Sequence, residues 1–203
     1  MENIKSQQVF EIITAIAECI KENREMLTEL DRAIGDGDHG INLSRGFGLA
    51  MEKISAQVPI ESTVKTLATT LISSVGGASG ALYGSFFLKM TGVLKGAEEI
   101  DMALYTAMIK EGVEAVKNRG RSEQGEKTML DTLIPYLEAL EGGSTLEEAT
   151  QKAKEGMEST KDMIATKGRA SYLGERSAGH VDPGATSAFL MLEIINNYAT
   201  EVK

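Results

Sequence analysis

Three aspartates in one glycine-rich stretch, residues 31–42, are the clearest sign of chemistry in this sequence. Asp31, Asp36 and Asp38 stand close together, and three glycines lie between or just after them. Carboxylates this close repel one another unless a cation lies among them, and glycine lets the backbone turn tightly around it. Carboxylate oxygens also suit Mg²⁺, with water and phosphate oxygens completing its octahedron. The stretch predicts a loop that binds one or two divalent cations; a solvated acidic turn is the alternative.

Two other interpretations of this loop fail on physical grounds. Its glycines, Gly35-x-Gly37-x-x-Gly40, match the dinucleotide-binding fingerprint. That fingerprint follows a strand, whereas a helical pattern precedes this loop, and carboxylates at its variable positions would repel a pyrophosphate. An EF-hand is excluded because the oxygen ligands and the terminal glutamate do not have the required spacing.

A second glycine cluster, Gly76-Gly-Ala-Ser-Gly80, opens a predicted helix. Free backbone N–H groups and the positive helix end favour an anion there. No Gly-Lys-Ser/Thr follows, so the cluster is not a Walker loop, and metals held by the aspartates would have to supply the missing positive charge. Close helix packing through the glycines explains this cluster equally well when it is taken alone.

Basic side chains return in residues 118–127 and 167–184 of an otherwise acidic chain. Among them, Arg169 is a candidate for bidentate hydrogen bonds to a phosphate. Asp182-Pro183-Gly184 has the pattern of an N-cap followed by proline at the first helical position, which requires no function.

Helices must position these features. Apolar residues recur at helical spacing through most of the chain, and no window alternates at period two for long, so eight helices and no strand are predicted. Asp101 is expected to cap one helix, Ser144 and Glu147 to form a capping box, and Pro135 to kink another helix. The predicted helices cover about residues 3–30, 41–57, 62–75, 79–96, 101–117, 127–141, 144–167 and 183 onward.

The expected class is all-α, an eight-helix antiparallel up-and-down bundle or barrel. In such an arrangement the ends of odd-numbered helices meet at one pole. Segments 31–42, 76–80, 118–127 and 168–183 follow the first, third, fifth and seventh helices, so a site is expected where they converge. Residues 1–203 are expected to form a single domain, because no linker interrupts them and their number suffices for one core.

Composition narrows the classes of function. The net charge is −9, from 30 acidic and 21 basic residues. This balance argues against binding to nucleic acid or to an anionic membrane, because both demand a basic excess. The lone Cys19 and an N-terminus without a secretory pattern favour the cytoplasm. Residues 66–88 carry no charge, but their polar, glycine-rich middle is unlike a transmembrane helix.

Five blocks of residues span nearly the whole chain: Gly35-Asp-Gly-Asp-His-Gly-Ile-Asn42 with Arg45-Gly46, Ser74-Val-Gly-Gly-Ala-Ser-Gly80, Gly125-Glu-Lys-Thr-Met129, Lys167-Gly-Arg-Ala-Ser-Tyr-Leu-Gly-Glu-Arg-Ser177, and Gly179-His180 with Asp182-Pro-Gly-Ala-Thr186. In this order they resemble the nucleotide-binding L subunit of dihydroxyacetone kinase. Because a single domain is expected, the resemblance is to the phosphotransferase-system-dependent form and not to the longer ATP-dependent kinases.

The resemblance implies an eight-helix antiparallel barrel that holds ADP at one end through two Mg²⁺ ions. It implies that Asp31, Asp36 and Asp38 are the metal ligands. Nucleotide contacts are implied for His39, Gly40, Ile41, Asn42, Ala78, Ser79, Gly120, Met129, Arg169, Asp182, Pro183 and Gly184.

The resemblance also implies a reaction and partners. ADP or ATP is a retained cofactor: a phosphohistidine on a phosphotransferase-system subunit phosphorylates ADP in place, and the γ-phosphoryl group passes to dihydroxyacetone. A histidine of a separate substrate-binding kinase subunit holds the sugar, so neither His39 nor His180 takes that role. A histidine that only makes a hydrogen bond at a helix start is the more common case for both.

Two alternatives stay open from the sequence. One is an ordinary ATP-consuming kinase subunit, of the dihydroxyacetone or fatty-acid type, in which nucleotide exchanges at each turnover. The other is a binding module whose nucleotide-loaded state signals to a transcription regulator. Retention of ADP through purification distinguishes the first alternative, and a regulator complex that depends on nucleotide state distinguishes the second.

Overall fold

The computed structural model describes residues 3–201, which are helical for most of their length. In this range the chain forms nine α-helices, two 3-10 helices and one antiparallel pair of two-residue strands, β1 (Ile4–Lys5) and β2 (Glu99–Ile100). The 3-10 helices cover Thr160–Asp162 and Arg169–Ser177. The all-α class is confirmed. The α-helices are α1 (Ser6–Glu22), α2 (Arg24–Ile34), α3 (His39–Met51), α4 (Ile60–Ser74), α5 (Gly77–Val93), α6 (Met102–Gly120), α7 (Leu130–Glu141), α8 (Leu146–Ser159) and α9 (Pro183–Glu201).

The helices close into a ring in chain order. From α3 onward each helix packs against the next, α3 also packs against α1 and α2, and α9 returns to α1 and α2. Short connections make neighbouring helices antiparallel. The predicted eight-helix barrel is therefore confirmed, with α1 and α2 together forming its first helix.

The interior of the ring is a continuous apolar core. Ile20, Leu43 and Leu71 come from three different helices and are fully buried. Two polar groups inside the core satisfy each other, because the hydroxyls of Tyr105 and Tyr136 are hydrogen-bonded at 2.9 Å. In the part of the chain that the structure describes, no helix has the length and apolarity needed to cross a membrane.

The predicted first helix was wrong in its continuity and in its end. The helix breaks at Asn23, whose side-chain amide donates to the carbonyl of Cys19, the same carbonyl that accepts the helical bond from the Asn23 backbone N–H. Asparagine competes with helical hydrogen bonds in this way, so a new helix starts at Arg24. α2 then continues to Ile34, which places Asp31 within a helix.

Three other predicted boundaries were wrong by several residues. α3 ends at Met51 instead of about residue 57. α7 begins at Leu130 instead of residue 127, because Gly125 and Lys127 both have left-handed backbone conformations that a right-handed helix excludes. α8 ends at Ser159 instead of residue 167, and the chain turns through the 3-10 helix Thr160–Asp162. The segment predicted as a loop over 168–183 contains the second 3-10 helix.

The capping predictions were partly right. Asp101 caps α6 by accepting a hydrogen bond from Leu104 N. The capping box of α8 is one residue later than predicted, between Thr145 and Glu148 instead of Ser144 and Glu147. The prediction that the chain has no strand was also wrong, since Ile4–Lys5 pairs with Glu99–Ile100, just before α6.

Candidate metal and anion site

Asp31 lies in the last turn of α2, and its carboxylate organises the loop that follows. Its Oδ2 accepts hydrogen bonds from the backbone N–H groups of Asp38, at 2.8 Å, and His39, at 3.1 Å. These N–H groups open α3, so a carboxylate on one helix stabilises the positive end of the next. Gly35 makes this turn possible, because a Cβ there would lie 2.1 Å from Asp31 Oδ1.

The three predicted metal ligands come together. One carboxylate oxygen from each of Asp31, Asp36 and Asp38 lies within 4.8 Å of the other two. Burial, and then the negative charges of Asp36 and Asp31, raise the pKa of Asp38. A divalent cation would remove this repulsion, and the all-oxygen donor set suits a hard cation such as Mg²⁺.

Arg169, the first residue of the second 3-10 helix, reaches the acidic loop. Its Nη2 lies 2.9 Å from Asp36 Oδ2. Because 65% of the Arg169 side chain is exposed, this ion pair contributes little to stability. A guanidinium in this position can exchange the carboxylate for a phosphate, which it binds with the same forked geometry.

The N-terminus of α5 lies next to the carboxylate of Asp38. A Cβ added at Gly77 would lie 3.9 Å from both carboxylate oxygens of Asp38. The N-cap position is Gly76, which has no side chain to satisfy the N–H groups of the first turn. These N–H groups can therefore bind an anion next to a metal held by the aspartates.

His39 connects three helices through buried hydrogen bonds. Its Nδ1 lies 2.9 Å from Ser79 Oγ on α5, and its Nε2 lies 2.9 Å from Ser187 Oγ on α9. Ser187 is also hydrogen-bonded to the hydroxyl of Tyr83, at 2.6 Å. Burial lowers the pKa of His39 to about 4, so the imidazole is neutral at pH 7. His39 therefore positions Ser79 without adding charge to the site.

The start of α9 forms another wall. Asp182 caps the helix, since its Oδ2 accepts a hydrogen bond from Ala185 N at 2.7 Å. The predicted N-cap followed by Pro183 is thus confirmed. Gly184 lies against Met129, which is 3.7 Å from the position that a Cβ of Gly184 would take. Burial raises the pKa of Asp182 to about 7.

All four predicted segments border one cleft of about 400 Å³ at the end of the barrel. This volume is typical of a ligand pocket. Most of the predicted site residues line it, and the segments are brought together as the up-and-down order requires. The predicted residues in its lining are Asp31, Asp36, Asp38, His39, Ala78, Ser79, Gly120, Met129, Arg169, Asp182, Pro183 and Gly184.

Three predicted residues lie outside the lining of this cleft. Gly40 is buried where α3 crosses α2, and a Cβ there would lie 2.1 Å from the carbonyl oxygen of Arg24. Ile41 is exposed, and Asn42 is buried beside Gly76. Their contact with a nucleotide stays a prediction.

Sequence reasoning missed the side chains that support the site. Ser187 and Tyr83 belong to the hydrogen-bond network of His39, yet they are distant from it in the chain. Lys127 lines the cleft and is 1% exposed, which no local pattern indicates for a lysine. Its position in the Gly125–Met129 block was the only available signal.

The profile of the DAK2 domain matches residues 33–197 of the chain. The chain belongs to the DAK2 domain family. The DAK2 match contains every predicted site residue except Asp31, which lies just before it.

Two curated DAK2 relatives align along most of their length. The PEP-dependent dihydroxyacetone kinase 1, ADP-binding subunit DhaL, of Listeria innocua serovar 6a is 46% identical, and the alignment covers 86% of this chain and 87% of the relative. The PEP-dependent dihydroxyacetone kinase, ADP-binding subunit DhaL, of Escherichia coli (strain K12) is 39% identical, and the alignment covers 98% of this chain and 100% of the relative.

A solved structure has the same DAK2 fold. The dihydroxyacetone kinase from C. freundii in complex with AMP-PNP and Mg²⁺ superposes with a TM-score of 0.73 at 21% identity, covering 93% of this chain and 33% of that one. The chain therefore spans about one third of that longer kinase. At this identity the similarity establishes the fold of the DAK2 domain.

Proposed function

We propose that this chain is the ADP-binding subunit of a PEP-dependent dihydroxyacetone kinase. The observation that carries the proposal is the grouping of Asp31, Asp36 and Asp38 within 4.8 Å, beside the open N-terminus of α5. Such a site offers carboxylates to metals and amides to phosphates, the two needs of a nucleoside diphosphate. The names of the Listeria and E. coli relatives support this function.

Two bound Mg²⁺ ions explain the arrangement of the three aspartates better than a solvated acidic turn does. Asp31 uses one oxygen to order α3, so its other oxygen remains for a metal. Burial, and then repulsion from Asp36 and Asp31, raise the pKa of Asp38, and two cations would offset this repulsion. When bound, Mg²⁺ neutralises charge on the phosphate oxygens during phosphoryl transfer. The C. freundii kinase was solved with Mg²⁺ and AMP-PNP, which supports the same chemistry here.

The remaining side chains position and neutralise the phosphates. Ser79 and the first N–H groups of α5 bind phosphate oxygens, and His39 holds the Ser79 hydroxyl in place. Arg169 moves from Asp36 to a phosphate and supplies positive charge. Phosphoryl transfer asks for this kind of positioning and charge neutralisation, and for little covalent chemistry by the protein.

We further propose that residues 1–203 act as one nucleotide-binding domain that retains its ADP. A phosphohistidine on a phosphotransferase-system subunit phosphorylates the retained ADP in place. Dihydroxyacetone on a separate substrate subunit then accepts the γ-phosphoryl group. The names of the relatives, which join PEP dependence to ADP binding in one subunit, support this sequence of partners.

Reconstitution tests this proposal. The purified chain is expected to carry about one ADP per chain through gel filtration. With the substrate subunit, it should turn over dihydroxyacetone when phosphoenolpyruvate and the phosphotransferase proteins are supplied, and turn over poorly with ATP alone. Efficient multiple turnover with ATP alone would overturn the retained-cofactor mechanism in favour of an ordinary kinase.

A further inference from the structure

Lys127 has two unfavourable properties next to the cleft. Among the lysines of residues 3–201 it alone is buried, with 1% of its surface exposed. Its φ is +61°, in the left-handed region that disfavours any residue with a Cβ. Burying an ammonium also costs free energy unless it is fully paired. Costs of this kind persist where the surrounding structure requires them, typically at functional sites.

The ammonium of Lys127 joins two segments that are distant in the chain. Its Nζ donates hydrogen bonds to the carbonyl oxygens of Thr160 and His180, each at 2.5 Å. Thr160 follows the last residue of α8, and His180 lies just before α9. Burial lowers the pKa of Lys127, and the carboxylates of Asp182, Asp162 and Asp131 oppose this by favouring the charged form.

Other hydrogen bonds join the same two segments. Asp182 N donates to Thr160 Oγ1 at 3.0 Å, and Gly179 N donates to Lys161 O at 2.7 Å. Asp182 in turn caps α9 through Ala185 N. The wall of the cleft formed by the start of α9 is therefore fixed to the end of α8, with the Lys127 ammonium at the junction.

The loop that carries Lys127 is itself held in shape by a buried carboxylate. Asp131 accepts hydrogen bonds from Gly125 N, at 2.5 Å, and Thr128 N, at 2.7 Å. These bonds fix the turn on both sides of Lys127 and so fix the origin of its side chain. The unfavourable backbone of Lys127 aims the ammonium at the two carbonyls.

We propose that Lys127 is a positioning residue that fixes residues 178–182 against the end of α8 and so holds Asp182, Pro183 and Gly184 in the nucleotide cleft. Its effect on the backbone is independent of any ligand. Its effect on ADP rests on the proposed function. The two parts are therefore tested by separate measurements on the same variants.

Hydrogen exchange of the nucleotide-free protein tests the positioning role. In Lys127→Met we expect the amides of residues 179–185 to exchange about tenfold faster than in the wild type. Leu146→Ala is the control: it makes a cavity at the opposite end of α8 and lowers stability without touching this junction. Unchanged exchange in Lys127→Met, or the same local increase in Leu146→Ala, would overturn the proposal.

Calorimetry with ADP and Mg²⁺ tests the consequence for the site. We expect ADP to bind Lys127→Met about tenfold more weakly than wild type, and Leu146→Ala with wild-type affinity. Equal affinity in all three proteins would refute the effect on the cleft. If the wild type binds no ADP while the exchange difference is present, the proposed function fails and the positioning role stands.

Lys127→Gln provides a second variant in case Lys127→Met does not fold. Its side chain keeps two N–H donors but is shorter and neutral. We expect exchange rates and ADP affinity between those of the wild type and the methionine variant. Wild-type exchange in Lys127→Gln would show that the ammonium is not needed, and this too would overturn the proposal.

Discussion

His39 Nδ1 lies 2.9 Å from Ser79 Oγ, and this hydrogen bond joins the first residue of α3 to the first turn of α5. The acidic loop precedes α3 and the glycine cluster opens α5, so the bond sets the distance between the proposed metal-binding and phosphate-binding groups. The second ring nitrogen fixes the imidazole from the other side, through Ser187 on α9.

Two substitutions of His39 separate these hydrogen bonds. The amide of His39→Asn takes the position of Nδ1 and keeps the bond to Ser79, whereas that of His39→Gln takes the position of Nε2 and keeps the bond to Ser187. We expect His39→Gln to weaken ADP binding about tenfold and His39→Asn to weaken it less, because only the former loses the contact with Ser79. Calorimetry with ADP and Mg²⁺ measures both. Greater loss in His39→Asn would assign the more important bond to Ser187.

Asp36→Asn tests the metal-binding loop. Asp36 is exposed, so the variant should keep the helix content of the wild type, measured by circular dichroism. Loss of one carboxylate ligand should reduce Mg²⁺-dependent ADP binding by about a hundredfold. Asp101→Asn is the matched control, because asparagine caps a helix as well as aspartate does and this residue begins α6, far from the cleft. An unchanged amount of co-purifying ADP in Asp36→Asn would contradict the metal-binding function.

The apolar pattern of the sequence predicted the ring of helices and the pole at which the loops meet. It did not predict the break at Asn23, because Ile20 and Leu27 are two helical turns apart and lie on one face whether or not the helix is continuous. The aspartates were recognisable because they are neighbours in the chain and share one type of chemistry.

The supporting side chains could not be found in the same way. Ser187 is 148 residues from His39 in the chain, and only the closure of α9 onto the first helices brings the two together. Lys127 is buried because two backbone carbonyls from other segments accept its hydrogen bonds. Every residue has a backbone carbonyl, whatever its side chain, so no sequence pattern predicts this contact.

Gly40 and Gly48 provide a matched pair of substitutions in α3. A Cβ at Gly40 would lie 2.1 Å from Arg24 O and 2.9 Å from Thr28 N, so Gly40→Ala must push α3 away from α2. We expect this to lower the free energy of unfolding by about 2 kcal/mol or more. A Cβ at Gly48 has nothing within 4 Å, so Gly48→Ala should raise stability by about 0.5–1 kcal/mol through helix propensity.

Urea denaturation of both glycine variants measures this difference. The two changes add the same methyl group to the same helix, so a difference in sign isolates the close approach of α2. Equal effects of the two substitutions would mean that α3 does not pack as closely on α2 as described. Because Gly40 precedes the predicted contacts Ile41 and Asn42, ADP binding should weaken in Gly40→Ala and stay unchanged in Gly48→Ala.

The raised pKa of Asp182 predicts that the stability of the protein depends on pH. Burial raises its pKa to about 7 in the folded protein, above the ordinary value of 3.8. Between these values the folded state holds a proton that the unfolded state has released, so unfolding releases a proton and stability falls as pH rises. The stabilisation that comes from this raised pKa is complete below the pKa of the unfolded state and is lost as pH rises through about 7. It amounts to at most about 4 kcal/mol of the free energy of unfolding.

The Asp182→Asn variant isolates this contribution. Asparagine keeps the N-cap acceptor for α9 but does not titrate, and the other carboxylates are the same in both proteins. Urea denaturation without Mg²⁺ or nucleotide, from pH 4.5 to 8, should show the wild type losing stability relative to the variant as pH rises. The prediction is wrong if the difference in free energy of unfolding between the two proteins is constant with pH, or if it grows in favour of the wild type. Lys127 and the N-cap hydrogen bonds would then outweigh burial and keep Asp182 ionised.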